Sequence, residues 1–474
     1  MIQAFDQLWE QTRPAFIQER TWQRARTLAL GALVGLGRHT VSGMLMATGQ
    51  QFTDWSAAYR LFAEERFDPQ ALLAPARRDV VEKIGSQQPL VAMMDDTLLR
   101  KRGRRIAGTS WRRDPLGPPF CNNFIWSQRF LQVSAALPDG PGVARARAIP
   151  IDLVPCPSPR KPRRDADAEQ WAQYRDELHA SRLSARGLER IGALRSALDD
   201  DGQQLRQLVF AVDASYTNST VLKALPERTT LIGRVRKDAK LYLPPAPRSA
   251  DQRGRRRCYG DPLPTPEQLR HDPDVPWQQV RAFAAGRLFD FDIKAVGPVR
   301  WRGAGARDLK LIIVRPLAYR PRKGAHLLYR EPAYLLCTDP QMDLAKALQA
   351  YLWRWEIEVN FRDQKTLLGT GQAQVRCPGA TERVPALIAA AYAFMHLSLA
   401  SVHGQDALPL PCWQRPQPDN RCSSAQGINL LRVSLWGRAL GVDHLTHFDR
   451  TRRALTKSDK CLNDPASALF YATG

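Results

Sequence analysis

No C-x-x-C pair occurs in the 474 residues, and no histidine cluster stands beside any of the eight cysteines. A zinc site is therefore not expected, because its ligands come at short fixed spacings. Cys121, Cys156, Cys258, Cys337, Cys377, Cys412, Cys422 and Cys461 are scattered and read as reduced thiols of a cytosol. No G-x-x-x-x-G-K-[ST] loop is present, so nothing points to ATP-driven chemistry. The first residues, "MIQAFDQLWEQTRPAF", have no apolar signal core. One run, 384–402 ("VPALIAAAYAFMHLSLASV"), is almost long enough to span a bilayer. It is rich in Ala and interrupted by His396 and Ser398, so a buried core helix is expected, with no membrane partner. Internal repeats are absent. Acid is also scarce: 47 Asp+Glu face 69 Lys+Arg, leaving a net charge of +22. A field of that sign attracts polyanions, with nucleic acid the leading partner.

Periodicity divides the chain. Residues 1–85 read as short helices separated by Gly and capped by Thr or Asp, a helical DNA-binding domain or a bundle packed on its neighbour. Residues 86–225 alternate strands with helices, as an α/β core does. Its strand candidates are "QQPLVAMMDDT", "FIWSQRFLQVSAALP", "AIPIDLVP" and "QLVFAVDASYTN", with one long amphipathic helix from Glu169. Residues 226–340 turn β-rich, interrupted by a Pro- and Arg-rich loop. Helix returns over 341–402, and 403–474 holds a linker and one more helix.

Three acids stand out. "VAMMDD" ends in Asp95 and Asp96, and "VFAVD" in Asp213. Acid closing an apolar strand is costly unless paired or bound to metal, although a strand-end Asp also caps turns. Strand alternation turns only one of Asp95 and Asp96 inward. Open α/β sheets gather ligands at the carboxyl ends of their strands. Two carboxylates there and a third from a helix would suit Mg²⁺ or Mn²⁺. The helix is "YLWRWEIEVNFRDQK", 351–365. With Tyr351 at zero, Arg354, Glu358 and Lys365 fall at about 300°, 340° and 320° on the helical wheel. Ile357, Phe361 and Leu368 form an apolar flank. Glu356, near 140° with Asp363 beside it, reads as solvated surface. A plain i,i+4 ion pair would also explain Arg354 and Glu358.

The spacing Y-x2-R-x3-E-x6-K, filled by Tyr351, Arg354, Glu358 and Lys365, resembles the signature of DDE transposases of bacterial insertion sequences. "DDT" at 95–97, followed by Lys101 and Gly103, resembles their first acidic motif, and "VDASY" at 212–216 the second. In motif order the resemblance covers about residues 21–400. The family pattern, Asp, any residue, Thr, selects Asp95. The resemblance implies an α/β, ribonuclease H-like mixed sheet flanked by helices, with an N-terminal all-helical domain and a β-rich insertion. It implies that Asp95, Asp213 and Glu358 hold two Mg²⁺ or Mn²⁺ ions for phosphodiester hydrolysis. Cleavage would pass through a hairpin, and the 3′-hydroxyl ends would be joined to target DNA. Tyr351 and Arg354 would grip phosphate, and Lys365 the transferred strand. A flipped base needs an aromatic partner, for which Trp301 in "VRWRG" is the candidate, with a sheet-face packing role as the alternative. Implied partners are double-stranded DNA, as terminal inverted repeats and target, and a second copy in a homodimeric DNA complex. The implied location is a bacterial cytoplasm, at the nucleoid when DNA is bound. A domesticated, non-catalytic DNA-binding protein and a metal nuclease without strand transfer are the alternatives.

Overall fold

The chain is described by a computed structural model covering residues 1–114, 116–118, 120, 123–247, 257–320, 322, 324–404 and 421–439. Most of the linker expected after 403, the tail beyond 439 and most of the Arg-rich run at 253–257 lie outside the described residues. Five helices open the chain: α1 (Ile2–Glu10), α2 (Glu19–Val34), α3 (Val41–Ala47), α4 (Ser56–Ala63) and α5 (Ala74–Lys83). Thr40 starts α3, its Oγ1 accepting from the Gly43 amide at 3.1 Å. Where α2 crosses α3, a Cβ on Gly31 would lie 2.4 Å from the Met44 carbonyl oxygen, so only glycine fits.

Four strands follow: β1 (Leu90–Arg100), β2 (Ser110–Arg113), β3 (Phe124–Pro138) and β4 (Ala146–Pro155). The expected long helix is two, α6 (Ala168–Ala180) and α7 (Leu183–Asp200). It breaks because Ser181 Oγ turns back to the Leu178 carbonyl while Arg182 takes an extended backbone. Then come β5 (Leu208–Val212), α8 (Ser219–Lys223) and β6 (Thr229–Arg234). β4, β3 and β1 pair antiparallel in that order, and β1, β5 and β6 pair parallel. That half-antiparallel, half-parallel order is the ribonuclease H-like sheet.

The β-rich region adds β7 (Leu241–Tyr242), α9 (Pro266–His271), β8 (Gln278–Ala284), β9 (Arg287–Trp301), β10 (Asp308–Val314), β11 (Ala318–Tyr319), β12 (Leu328–Tyr329) and β13 (Ala333–Cys337). β13, β10 and β9 continue outward from β6, all antiparallel, with β7 and β8 on β9. The insertion thus lengthens the core sheet, and β11 and β12 form a separate ribbon.

The chain then returns in α10 (Leu344–Trp353), α11 (Glu356–Thr366), α12 (Pro378–His403) and α13 (Ser424–Ala439). α12 is the apolar run anticipated as a core helix, and Ala386–Leu397 is buried throughout. Its two polar interruptions find partners inside: His396 Nε2 meets Ser424 Oγ at 3.1 Å, with Nδ1 left buried and unpartnered, and Ser398 Oγ donates to the Phe394 carbonyl at 2.7 Å. Phe5 and Trp9 of α1 set their rings 6.2 and 6.0 Å from Phe394. The N-terminal helices therefore share one core with α12, although the sheet begins close to the boundary read at residue 85.

β1 divides its side chains between two cores. Leu90, Ala92 and Met94 face the larger one, where Met94 meets Gly187 of α7. Val91 and Met93 face the smaller, with Leu348 of α10 and with Ile357 and Phe361 of α11.

Candidate active site

Met93 of β1 lies beside Ala211 of β5 in parallel register. Carried two residues further, that register sets Asp213, just past the end of β5, beside Asp95. Asp95 lies within β1 and not at its end as expected, because β1 runs on to Arg100 paired with β3. Asp95 pairs across β3 with Gln132, whose amide meets Asn360 of α11 at 3.3 Å, so Asp95 lies on the α11 face. Asp96 takes the other face and an ion pair with Arg129 at 3.2 Å. Of the two candidates in "DDT", the acid toward α11 is thus Asp95.

Arg354 ties strand to helix. Its Nη1 is 3.4 Å from Glu358 Oε1 and 4.0 Å from Asp95 Oδ2. Its Nε is buried without a hydrogen-bond partner, so the guanidinium is not fully satisfied by the chain alone. The helix expected to run unbroken through this region is interrupted at Arg354 and Trp355. Successive i→i−3 bonds, from the Arg354 amide to Tyr351 and from the Trp355 amide to Leu352, tighten the chain there. Tyr351 keeps its ring 5.7 Å from the Arg354 guanidinium. Burial raises the Tyr351 hydroxyl pKa, with Arg354 and Arg234 opposing the rise.

The electrostatics concentrate on Asp95. Burial and then the neighbouring Asp213 charge push its carboxyl up to about 7. Burial also raises Glu358, against the lowering pull of Arg354. Asp213 accepts from the Ser215 amide at 2.8 Å, so it closes the turn into α8 as well as facing Asp95. Lys365 lines a crevice with Thr97, Phe130 and Gln132. Burial lowers its pKa, while Asp114 and Asp96 act to raise it.

A family model described as DDE superfamily endonuclease matches residues 14–305, more than half of the chain. The chain belongs to the DDE superfamily endonucleases. No curated protein matches it. The family match includes Asp95 and Asp213 and ends before Glu358. Membership implies nuclease action on DNA, and endonucleases of this type use divalent metal.

Whether these residues suit such an ion turns on their donors. Asp95, Asp213 and Glu358 offer oxygen only, the donor of hard divalent cations, and the like-charge stress at Asp95 is what a cation would relieve. As the side chains stand, no three His, Cys, Asp or Glu among the described residues close around one point. In this endonuclease the Arg354 guanidinium provides the positive charge between Asp95 and Glu358.

Trp301 is not brought to the acids. Registers carried across β6, β13, β10 and β9 put it four strands from β5 and toward the opposite end of the sheet. Strand geometry makes that on the order of 25 Å. Its ring instead packs against the core, over Gly303, where a Cβ would lie 2.5 Å from it. Glu356 is not free surface either: Arg421 Nη2 is 3.0 Å from its Oε2. Asp363 is buried and accepts from Tyr392 at 3.4 Å and Ser424 at 2.5 Å. That arc of α11 is covered by the segment leading into α13, which a helical wheel drawn for one helix does not contain.

Other positioning residues carried a faint signal. Asn360 and Gln364 stand at i,i+4 beside the apolar flank and are buried against β3 and β4. Gln364 donates to Gln132 at 2.9 Å, and Asn360 to the Ala148 carbonyl at 3.1 Å. These bonds set the rotation of α11 and hence the direction of Glu358. Lys101 is structural: buried, it donates to the carbonyls of Gly371 at 3.1 Å and Ala373 at 2.7 Å. Gly371, at φ +107°, turns the loop after α11 onto Leu99.

Proposed function

We propose that this endonuclease is a DNA transposase that nicks the ends of a bacterial insertion sequence and joins the freed 3′-hydroxyls to target DNA. One observation carries the reading: Arg354 links Asp95 of β1, beside Asp213 at the end of β5, to Glu358 of the Y-x2-R-x3-E-x6-K helix. Asp95, Asp213 and Glu358 are the residues that would hold Mg²⁺ or Mn²⁺, as two ions. When bound, such ions supply Lewis-acid activation of water or a 3′-hydroxyl and stabilise the leaving oxygen. Arg354, with unsatisfied donor capacity, turns to the phosphate beside the cut. Tyr351 orders that guanidinium by lying against it. Lys365, on the same side as Asp95, holds the strand carrying the 3′-hydroxyl. Asn360 and Gln364 keep α11 from rotating during the reaction.

Second-strand cleavage through a hairpin, inverted repeats as substrate, a homodimer in the DNA complex and action at the nucleoid of a bacterial cytoplasm belong to the same reading. The test is a labelled duplex bearing a candidate element end, incubated with Mg²⁺ and resolved on a denaturing gel. Nick, hairpin and joined product are expected. A nick without joining reduces the reading to a metal nuclease, and binding without any cut to a DNA-binding protein.

A further inference from the structure

Strand β2 stands at an edge of the sheet and, with the start of β3, presents aromatic rings to solvent. Trp111 pairs across with Trp126, and Arg113 with Phe124, so all four share one face. The Trp rings meet edge to face at 5.6 Å. The Arg104 guanidinium lies over both, 4.6 and 4.9 Å from their centroids. Trp126 is held by its indole N–H, which donates to the Gly103 carbonyl at 3.1 Å. Trp111 remains 53% exposed and Phe124 59%. Large aromatics left in water beside one another need a reason beyond packing. Residues 100–113 hold seven basic residues and no acid, and five of the seven, all but the buried Lys101 and Arg112, are exposed.

The patch continues the surface of the acids. Trp126, Gln128, Phe130 and Gln132 alternate onto one face of β3, and Gln132 is the partner of Asp95. Along the strand Trp126 stands about 20 Å from Gln132. The Lys365 crevice, lined by Phe130 and Gln132, lies between them. Aromatic faces interleaved with guanidinium groups recognise single-stranded nucleic acid, whose bases stack while its phosphates pair.

We propose that Trp111, Trp126 and Arg104 form a stacking platform for unpaired DNA bases, several nucleotides from the phosphate being cut. The occupant is single-stranded DNA, as exposed when a duplex end frays. Only the position relative to the cut rests on the transposase reading; the platform needs no metal.

The test is anisotropy of fluorescein-labelled dT15 and of a 15-base-pair duplex, with metal chelated. Wild type, Trp111→Ala and Trp111→Phe are compared. Trp111→Ala is expected to weaken dT15 binding by roughly 5- to 100-fold, with duplex binding within about twofold, and Trp111→Phe to recover most of the loss. Absence of dT15 binding by wild type, a loss in Trp111→Ala below about twofold, an equal loss for duplex, or no recovery with Phe each overturns the platform. Cleavage by Asp95→Asn is scored separately. If that variant still cuts, the active-site reading fails while the platform is judged on anisotropy alone.

Discussion

Arg354 Nη1 stands 3.4 Å from Glu358 Oε1 across the break between α10 and α11. The same nitrogen reaches 4.0 Å from Asp95 Oδ2, so one guanidinium serves carboxylates from a helix and a strand. The two glutamates of this stretch should therefore part company. Glu358→Gln keeps the shape and removes the charge, and nicking is expected to fall by at least about 10³-fold with end binding nearly unchanged. Glu356→Gln weakens only the Arg421 pair, costing about 1 kcal/mol, with cutting per folded molecule retained. Arg354→Ala should fall between them. A gel run with equal folded protein and a thermal melt decide this. An active Glu358→Gln beside a dead Glu356→Gln would mean that the helix face is misassigned.

Asp95 makes stability depend on pH in a definite direction. Its carboxyl sits at about 7 in the fold against an ordinary 3.8. Between those values the unfolded chain releases the proton and the folded chain keeps it. Stability therefore falls as pH rises from about 4 to 7 and is level above. Asp95→Asn removes the penalty. The variant should be the more stable at pH 8 by on the order of 2–4 kcal/mol, with no advantage near pH 4. Mn²⁺ should raise the melting temperature of wild type at pH 8 and not that of Asp95→Asn. Equal urea midpoints at pH 8 would show that Asp95 carries no such strain.

What could be read from sequence, and what could not, follows from the range of the forces. Apolar runs followed by acid located β1 and β5, because a buried parallel strand is apolar on both faces, but β1 runs on past Asp95 and Asp96 to Arg100, held by its pairing with β3. The spacing from Tyr351 to Lys365 survived the kink at Arg354, since a tighter turn moves each residue only part of a step around the axis. Long-range partners were not legible. Nothing local to Glu356 announces Arg421, 65 positions away. Nothing in "VRWRG" tells which end of a strand four places along the sheet will face the acids. The N-terminal helices look self-contained because each is amphipathic, yet the surface they cover belongs to α12.

Trp301 tests that last kind of error. It packs over Gly303 and pairs with Leu241 at the far edge of the sheet. Trp301→Ala should cost about 2 kcal/mol through lost packing, seen as a lower melting temperature. The ratio of hairpin to nicked product should not change. A selective loss of hairpin, in folded protein, would put Trp301 back at the DNA.

DNA binding should be independent of metal and steep in salt. The net charge is +22, and residues 100–113 carry no acid. Each phosphate neutralised contributes about −0.9 to the slope of log affinity against log salt. Six contacts would cost roughly 10³-fold between 50 and 200 mM. A slope near zero would exclude a phosphate-dominated interface. Preference for element ends is expected from the helices before residue 85, but deleting them would strip α12 of Phe5, Trp9 and their neighbours. That truncation should aggregate. Exposed Arg38, between α2 and α3, can be changed without opening the core. Arg38→Ala should lower the ratio of end to random duplex affinity by about fivefold or more, as loss of one base contact does, in competition assays at fixed salt. An unchanged ratio, with random binding intact, would move end recognition away from this turn.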